Sequence, residues 1–153
     1  MRTSVRGILV EDGKLLVIQR IKNRYEYFVI PGGGVEAQET LMQALKRELL
    51  EEVGIQIKIL DENPFYTYFD QYGYQYFYLI SRASDEYGSD KGPEFTSSEY
   101  ESHGEYKICF VSLQDVALGK INLVPASFKD EFIHNLNKVQ DVFYLDSKNN
   151  NFQ

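Results

Sequence analysis

Glu48, Glu51 and Glu52 stand at i, i+3 and i+4 within a stretch of helical periodicity. That spacing puts three carboxylates on one helix face within a single turn. Like charges so close repel and weaken a helix unless something compensates them. A hard divalent cation is one such compensation: it prefers oxygen ligands, and Mg2+ commonly takes one or two carboxylates together with waters and substrate phosphates. Arg47, four residues before Glu51, is placed to hold one of the carboxylates. The plain alternative is an acidic face left to solvent, and three glutamates alone do not decide between the two.

The elements around them sharpen the picture. Leu41, Leu45 and Leu49 form an i, i+4 stripe, widened by Met42, Ala44 and Val53, so a helix is predicted from Thr40 to Val53. Thr40 with Gln43 fits a capping box, and Gly54 fits a C-cap glycine. Upstream, Val5 to Val10 reads as a strand and Glu11-Asp12-Gly13-Lys14 as a hairpin turn. Leu15 to Ile18 then reads as a second strand antiparallel to the first, and Tyr27 to Ile30 as a third. Pro31 and Gly32-Gly33-Gly34 open the approach to the helix. Downstream, Ile55 to Leu60 is a strand by composition. Phe65 to Ile80 reads as a hairpin turning near Asp70-Gln71-Tyr72-Gly73, with Phe at odd positions on one face and Tyr at even positions on the other. Residues 85–101 form a long polar loop, and Tyr106 to Leu113 a further strand. Phe128 to Val139 has helical spacing, and residues 147–153 look like a frayed tail.

At 153 residues the chain is expected to form one domain over 1–140, followed by a C-terminal extension over 141–153. Hydrophobic residues at 43% and charged residues at 25% are those of an ordinary globular protein. A net charge of -7 argues against duplex nucleic acid and anionic membranes, whose binding rests on Lys and Arg. A single cysteine, Cys109, excludes an internal disulfide framework and a Cys-based zinc site. The N-terminal residues lack the apolar run of a signal peptide, so a cytoplasmic location is expected.

From Gly33 to Ile55 the chain resembles the signature of the Nudix hydrolases. That signature is Gly, five residues, Glu, seven residues, Arg-Glu-aliphatic, one residue, Glu-Glu, one residue, Gly-aliphatic. Gly33, Glu39, Arg47, Glu48, Leu49, Glu51, Glu52, Gly54 and Ile55 match every defining position. Gln38 departs from the family's habit of placing Gly before the first Glu. The resemblance implies an α/β fold, a Nudix-type α/β/α sandwich around a mixed β-sheet, with the signature as loop, helix and loop. It implies hydrolysis of a diphosphate linkage in a nucleoside di- or triphosphate derivative such as a nucleotide sugar, ADP-ribose or a noncanonical NTP. It implies Mg2+ or Mn2+ as cofactor, a small nucleoside diphosphate-type molecule as partner, and room for a homodimer. By the same resemblance Glu48 and Glu52 are metal ligands, with Glu51 and the Gly33 carbonyl joining them. Arg47 and Glu39 orient that set, and Glu51, Glu48, Glu52, Arg47 and Glu39 make up the catalytic group. Two rival readings remain: a catalytically silent Nudix-fold nucleotide sensor, and an isomerase of prenyl diphosphates on the same fold.

Outside the signature the candidates thin out. Arg20 and Arg24 precede the glycine loop and could meet phosphates, or could be surface charges. Glu94, with Glu99 and Glu101, could reach the metal from the acidic loop as a general base, or could be a solvated loop acid. The tyrosines of the hairpin could stack a base, or could simply suit a half-buried strand.

Overall fold

The computed structural model describes residues 1–83 and 105–150. The N-terminal apolar run divides at Leu9 into β1 (Arg2–Ile8) and β2 (Val10–Glu11), and the division sets the architecture. Only β2 pairs antiparallel with β3 (Lys14–Lys22), Val10 opposite Leu15. β1 instead joins another sheet, which corrects the expectation of one continuous hairpin. The reason lies in the sequence: Ile8, Leu9 and Val10 are apolar in succession and all three are buried, so no alternation ties the run to one register.

β4 (Tyr25–Val29) pairs antiparallel with β3, and β5 (Gly32–Gly34) runs antiparallel along β1. The helix α1 (Leu41–Val53) follows. Then come β6 (Ile57–Ile59), β7 (Tyr66–Asp70), β8 (Gly73–Arg82), β9 (Glu105–Ser112), α2 (Leu113–Ala117), α3 (Ala126–His134) and α4 (Leu136–Asn150). One sheet has the order β5-β1-β8-β6, with β7 also on β8. It is mixed, because β1 and β8 are parallel while the other pairs are antiparallel. The second sheet pairs β3 with β2, β4 and β9.

Successive strand residues point to opposite faces. Ile8, Val10, Leu15, Val17, Phe77 and Leu79 pack with Leu113, Val116, Phe128, Phe132, Val139 and Phe143 of α2 to α4. Val5, Leu9, Leu16, Ile18, Tyr78 and Ile80 pack with Ala44, Leu45, Leu49 and Val53 of α1. The result is the expected α/β/α sandwich, with its β layer divided between two sheets.

Three local expectations need correction. In the β7–β8 hairpin Tyr66 stands opposite Phe77 and Phe69 opposite Tyr74. Partners therefore sum to an odd number, and the faces exchange parity across the turn. Tyr66 and Tyr68 share a core with Phe77, while Tyr76 and Tyr78 face α1. The C-terminal helical stretch is two helices, because Asn135 turns its amide back onto the Glu131 carbonyl at 2.9 Å and competes with the backbone pattern. Of the tail expected to fray, residues 147–150 belong to α4, which runs to Asn150 and is pinned by buried Phe143 and by Lys58 Nζ to Asp146 Oδ1 at 3.0 Å, while residues 151–153 lie outside the described residues. The acidic loop, with Glu94, Glu99 and Glu101, lies outside the described residues.

Candidate functional site at the glycine loop and α1

The helix that carries the carboxylates is fixed at both ends. Thr40 Oγ1 accepts from the Gln43 N–H at 3.1 Å, and Gln43 Oε1 accepts from the Thr40 N–H at 2.9 Å. At the other end Gly54, at φ 82, takes the left-handed conformation that closes the last turn. Ala44, Leu45, Leu49 and Val53 are buried against the sheets. The phase of that inner stripe leaves Glu48, Glu51 and Glu52 at its margin.

Arg47 gathers the loop and the helix. Its Nε and Nη2 form a two-pronged pair with Glu39, at 2.6 and 2.9 Å. Nη2 also donates to the Gly34 carbonyl at 2.9 Å, and Nη1 donates to Glu48 Oε1 and Glu51 Oε1, both at 3.0 Å. Glu39 is held further by the Glu36 N–H at 2.9 Å. The Arg47 hydrogen bonds, then that of Glu36, hold the Glu39 carboxyl down at about 2. The same bonds push the Arg47 guanidinium above its usual range. Gln38, where the signature habitually has Gly, sits in this loop at φ 73. That left-handed conformation is the physical reason for the habit.

Two glycines bring strand and carboxylates together. A Cβ on Gly32, at φ 154, would fall 1.9 Å from the Val5 carbonyl oxygen, so only Gly allows β5 to lie this close to β1. From there the Gly32 N–H donates to Glu52 Oε1 at 2.9 Å. A Cβ on Gly33 would fall 2.4 Å from the Glu48 carboxyl carbon, so that carboxylate rests directly on the glycine backbone. Burial raises the Glu52 carboxyl above its ordinary range, and Glu48 adds repulsion. The Gly32 N–H, Arg6 and Arg20 pull it the other way.

A family model, the NUDIX domain, matches residues 1–132. The chain belongs to the Nudix family. It is 42% identical over 57 residues to the ADP-ribose pyrophosphatase of Methanocaldococcus jannaschii, 37% of this chain and 34% of that protein. It is 34% identical over 90 residues to the 8-oxo-dGTP diphosphatase of Buchnera aphidicola subsp. Schizaphis graminum, 58% of this chain and 69% of that protein. The first match thus spans about a third of the relative's length. Among solved structures, a Nudix family hydrolase from Clostridium perfringens superposes with a TM-score of 0.61 at 16% identity, covering 92% of this chain and 97% of that one. At that identity the likeness speaks for the fold.

Within this Nudix fold the structure brings Glu39, Arg47, Glu48, Glu52 and Gly33 into one cluster. Glu51 lies at its rim, 61% exposed and tied to Arg47. Arg20 acts electrostatically on Glu52, whereas Arg24 stands in the exposed β3–β4 turn at φ 67 and enters no contact with these carboxylates. Glu94 falls outside the described residues. Two residues that the sequence alone does not single out adjoin this cluster: Arg6, opposite Gly32 on β1, and Gln75, which accepts from it. The one signal for Arg6 was a lone cation inside the apolar run Val5 to Val10.

The donors suit a hard divalent ion. Glu48 and Glu52 offer oxygen alone, and the close seat of Glu48 on Gly33 is a cradle that any side chain there would fill. Among the described residues no three His, Cys, Asp or Glu side chains converge into a ready cage. Mg2+ does not require one, because waters and substrate phosphates complete its shell. Among the described residues no helix is long and apolar enough to cross a membrane.

Proposed function

We propose that this protein is a divalent-metal-dependent Nudix pyrophosphohydrolase that cleaves the diphosphate linkage of a nucleoside di- or triphosphate derivative. The observation that carries the reading is the pair Glu48 and Glu52, held against the glycine strand by Gly32, Gly33 and Arg47. Two carboxylates kept together at this cost in repulsion are an assembled cation seat. The names of the partial relatives, an ADP-ribose pyrophosphatase and an 8-oxo-dGTP diphosphatase, support a small nucleotide-derived substrate.

Each residue has its task. Glu48 and Glu52 would hold Mg2+ or Mn2+, joined by the Gly33 carbonyl and, at the rim, Glu51. The ion, when bound, offsets phosphate charge and lowers the pKa of a coordinated water. Arg47 and Glu39 fix the helix against the loop, so the ligands need not reorganise when metal and substrate arrive. Gly32 orients Glu52 through its N–H. Arg20 supplies positive charge on the substrate side.

A phosphate-release screen with Mg2+ or Mn2+ tests the reading. It covers nucleotide sugars, ADP-ribose, dinucleoside polyphosphates, and normal and oxidised NTPs. The expected result is turnover on one class that collapses in Glu52→Gln. Folded protein with no metal-dependent turnover on any of them would overturn the hydrolase reading in favour of a nucleotide sensor, which ligand-dependent thermal shifts would then reveal.

A further inference from the structure

We infer that Arg6, steadied by Gln75, is a specificity-determining residue that grips a phosphoryl group of the substrate which the metal ligands do not hold. The inference rests on the proposed hydrolase reading and adds to it a residue outside the signature.

Arg6 lies on β1 directly opposite Gly32, the residue whose N–H holds Glu52. Its Nε donates to Gln75 Oε1 on β8 at 3.2 Å, and its Nη1 donates to the Ile30 carbonyl at 3.1 Å. Both acceptors are neutral. A guanidinium has five N–H donors, so these two bonds fix its plane and leave the rest without a protein acceptor among the described residues. Arg6 forms no ion pair within 4.0 Å among the described residues, although it is partly buried. A cation removed from water without a counter-ion is costly. Desolvation weighs most on Arg6; Glu52 offsets part of that cost from a distance, and Arg2 and Arg20 repel it.

Arg2 and Arg20 thus add positive charge within electrostatic reach of Arg6, in a chain whose net charge is -7. Glu52 and Glu48 attract Arg6 across the site without pairing to it. An anion bridging from the carboxylate side toward Arg6 would relieve both strains. A diphosphate does this in the right order. One phosphoryl group sits where Glu48 and Glu52 would place the metal, and its neighbour meets the open guanidinium edge, which suits phosphate oxygens. Gln75 keeps that edge aimed, so it is a positioning residue.

The test is isothermal titration of inorganic pyrophosphate into the full chain in EDTA, where metal cannot contribute. Wild type is expected to bind saturably. Arg6→Gln is expected to weaken binding by about ten-fold or more, the scale of a lost charge-assisted hydrogen bond. Gln75→Leu, which keeps the charge and loses the aim, is expected to fall between them. Lys120→Gln, at an exposed turn, controls for net charge and is expected to match wild type. With the substrate found in the screen, Arg6→Gln is expected to raise KM more than it lowers kcat. No saturable binding by wild type, or equal binding by folded Arg6→Gln and Gln75→Leu, would overturn the inference. The two readings fail separately: Arg6-dependent pyrophosphate binding without hydrolysis would sink the reaction alone, and hydrolysis without Arg6 dependence would sink the phosphate grip alone.

Discussion

Arg47 and Arg6 both act on Glu48, and they are opposites. Arg47 spends its donors on Glu39, Glu48, Glu51 and the Gly34 carbonyl. Among the described residues the Arg6 guanidinium hydrogen-bonds only to a glutamine and a backbone carbonyl. A guanidinium wrapped in carboxylates has finished its work within the fold: it fixes the loop on the helix. A guanidinium anchored by neutral groups and repelled by its own kind is a charge held in reserve. On the proposed reading, one small domain would set a rigid ligand set and an open anion seat side by side.

The largest expected effect lies between these two arginines, at Glu52. Glu52→Gln keeps an acceptor for the Gly32 N–H and removes a charge that burial and Glu48 both disfavour. Activity is expected to fall by at least ~100-fold, the usual loss when one preorganised electrostatic group is removed. Melting temperature is expected to hold or rise at neutral pH. That gain should fade as the pH falls from the raised folded-state value toward about 4.5 and be gone below it, because across that window native Glu52 takes up a proton that the unfolded chain does not yet bind. A mutant that loses both activity and stability would make Glu52 a structural residue.

Arg47→Lys keeps the charge and loses the fork. The metal concentration for half-maximal activity is expected to rise about 10- to 100-fold, as for other residues that orient ligands. An unchanged metal requirement would break the view of Arg47 as the organiser.

Paired substitutions to Met compare the arginines directly in ligand-free protein. Arg47→Met is expected to lower the melting temperature, because it strands Glu39, Glu48 and Glu51. Arg6→Met is expected to leave it unchanged or raise it, since an apolar side chain in place of an unpaired desolvated cation is often stabilising. A larger drop at Arg6 than at Arg47 would reverse the comparison.

Thr40→Ala asks how far the clamp depends on the start of the helix. It is expected to cost about 1 kcal/mol in chemical denaturation, because it removes one arm of the capping box.

The smallest effect is the acid limb of the Arg47–Glu39 pair. Glu39 titrates at about 2 in the fold against 4.5 ordinarily, so between those values the unfolded chain binds more protons. The pair's contribution is whole above the upper value and fades as the pH drops toward the lower one. The melting-temperature gap between wild type and Glu39→Gln is therefore expected to close across that window. A gap that widened there would contradict the assignment.

Much of this could be read from residue order. Local rules settled α1: the Leu41, Leu45, Leu49 stripe, the Thr40–Gln43 box and Gly54 each act within a turn or two. The same short range settled the Arg47–Glu51 contact. Gln38 is a departure visible in the sequence, and its φ of 73 gives the departure a conformational meaning. The hairpin turn at residues 70–73 was legible, but not which faces meet, because register depends on how the two strands cross the turn.

By itself the sequence determined the signature helix, its caps, its carboxylates and the family they belong to, because those depend on residues close in the chain. Tertiary structure alone decided that the first apolar run serves two sheets, and that Gly33 is a seat for Glu48. It also set a lone arginine at position 6 between Gln75, 69 positions away, and the Ile30 carbonyl. Those contacts join segments that no local spacing links, so only the packed sheets could bring that charge to the site.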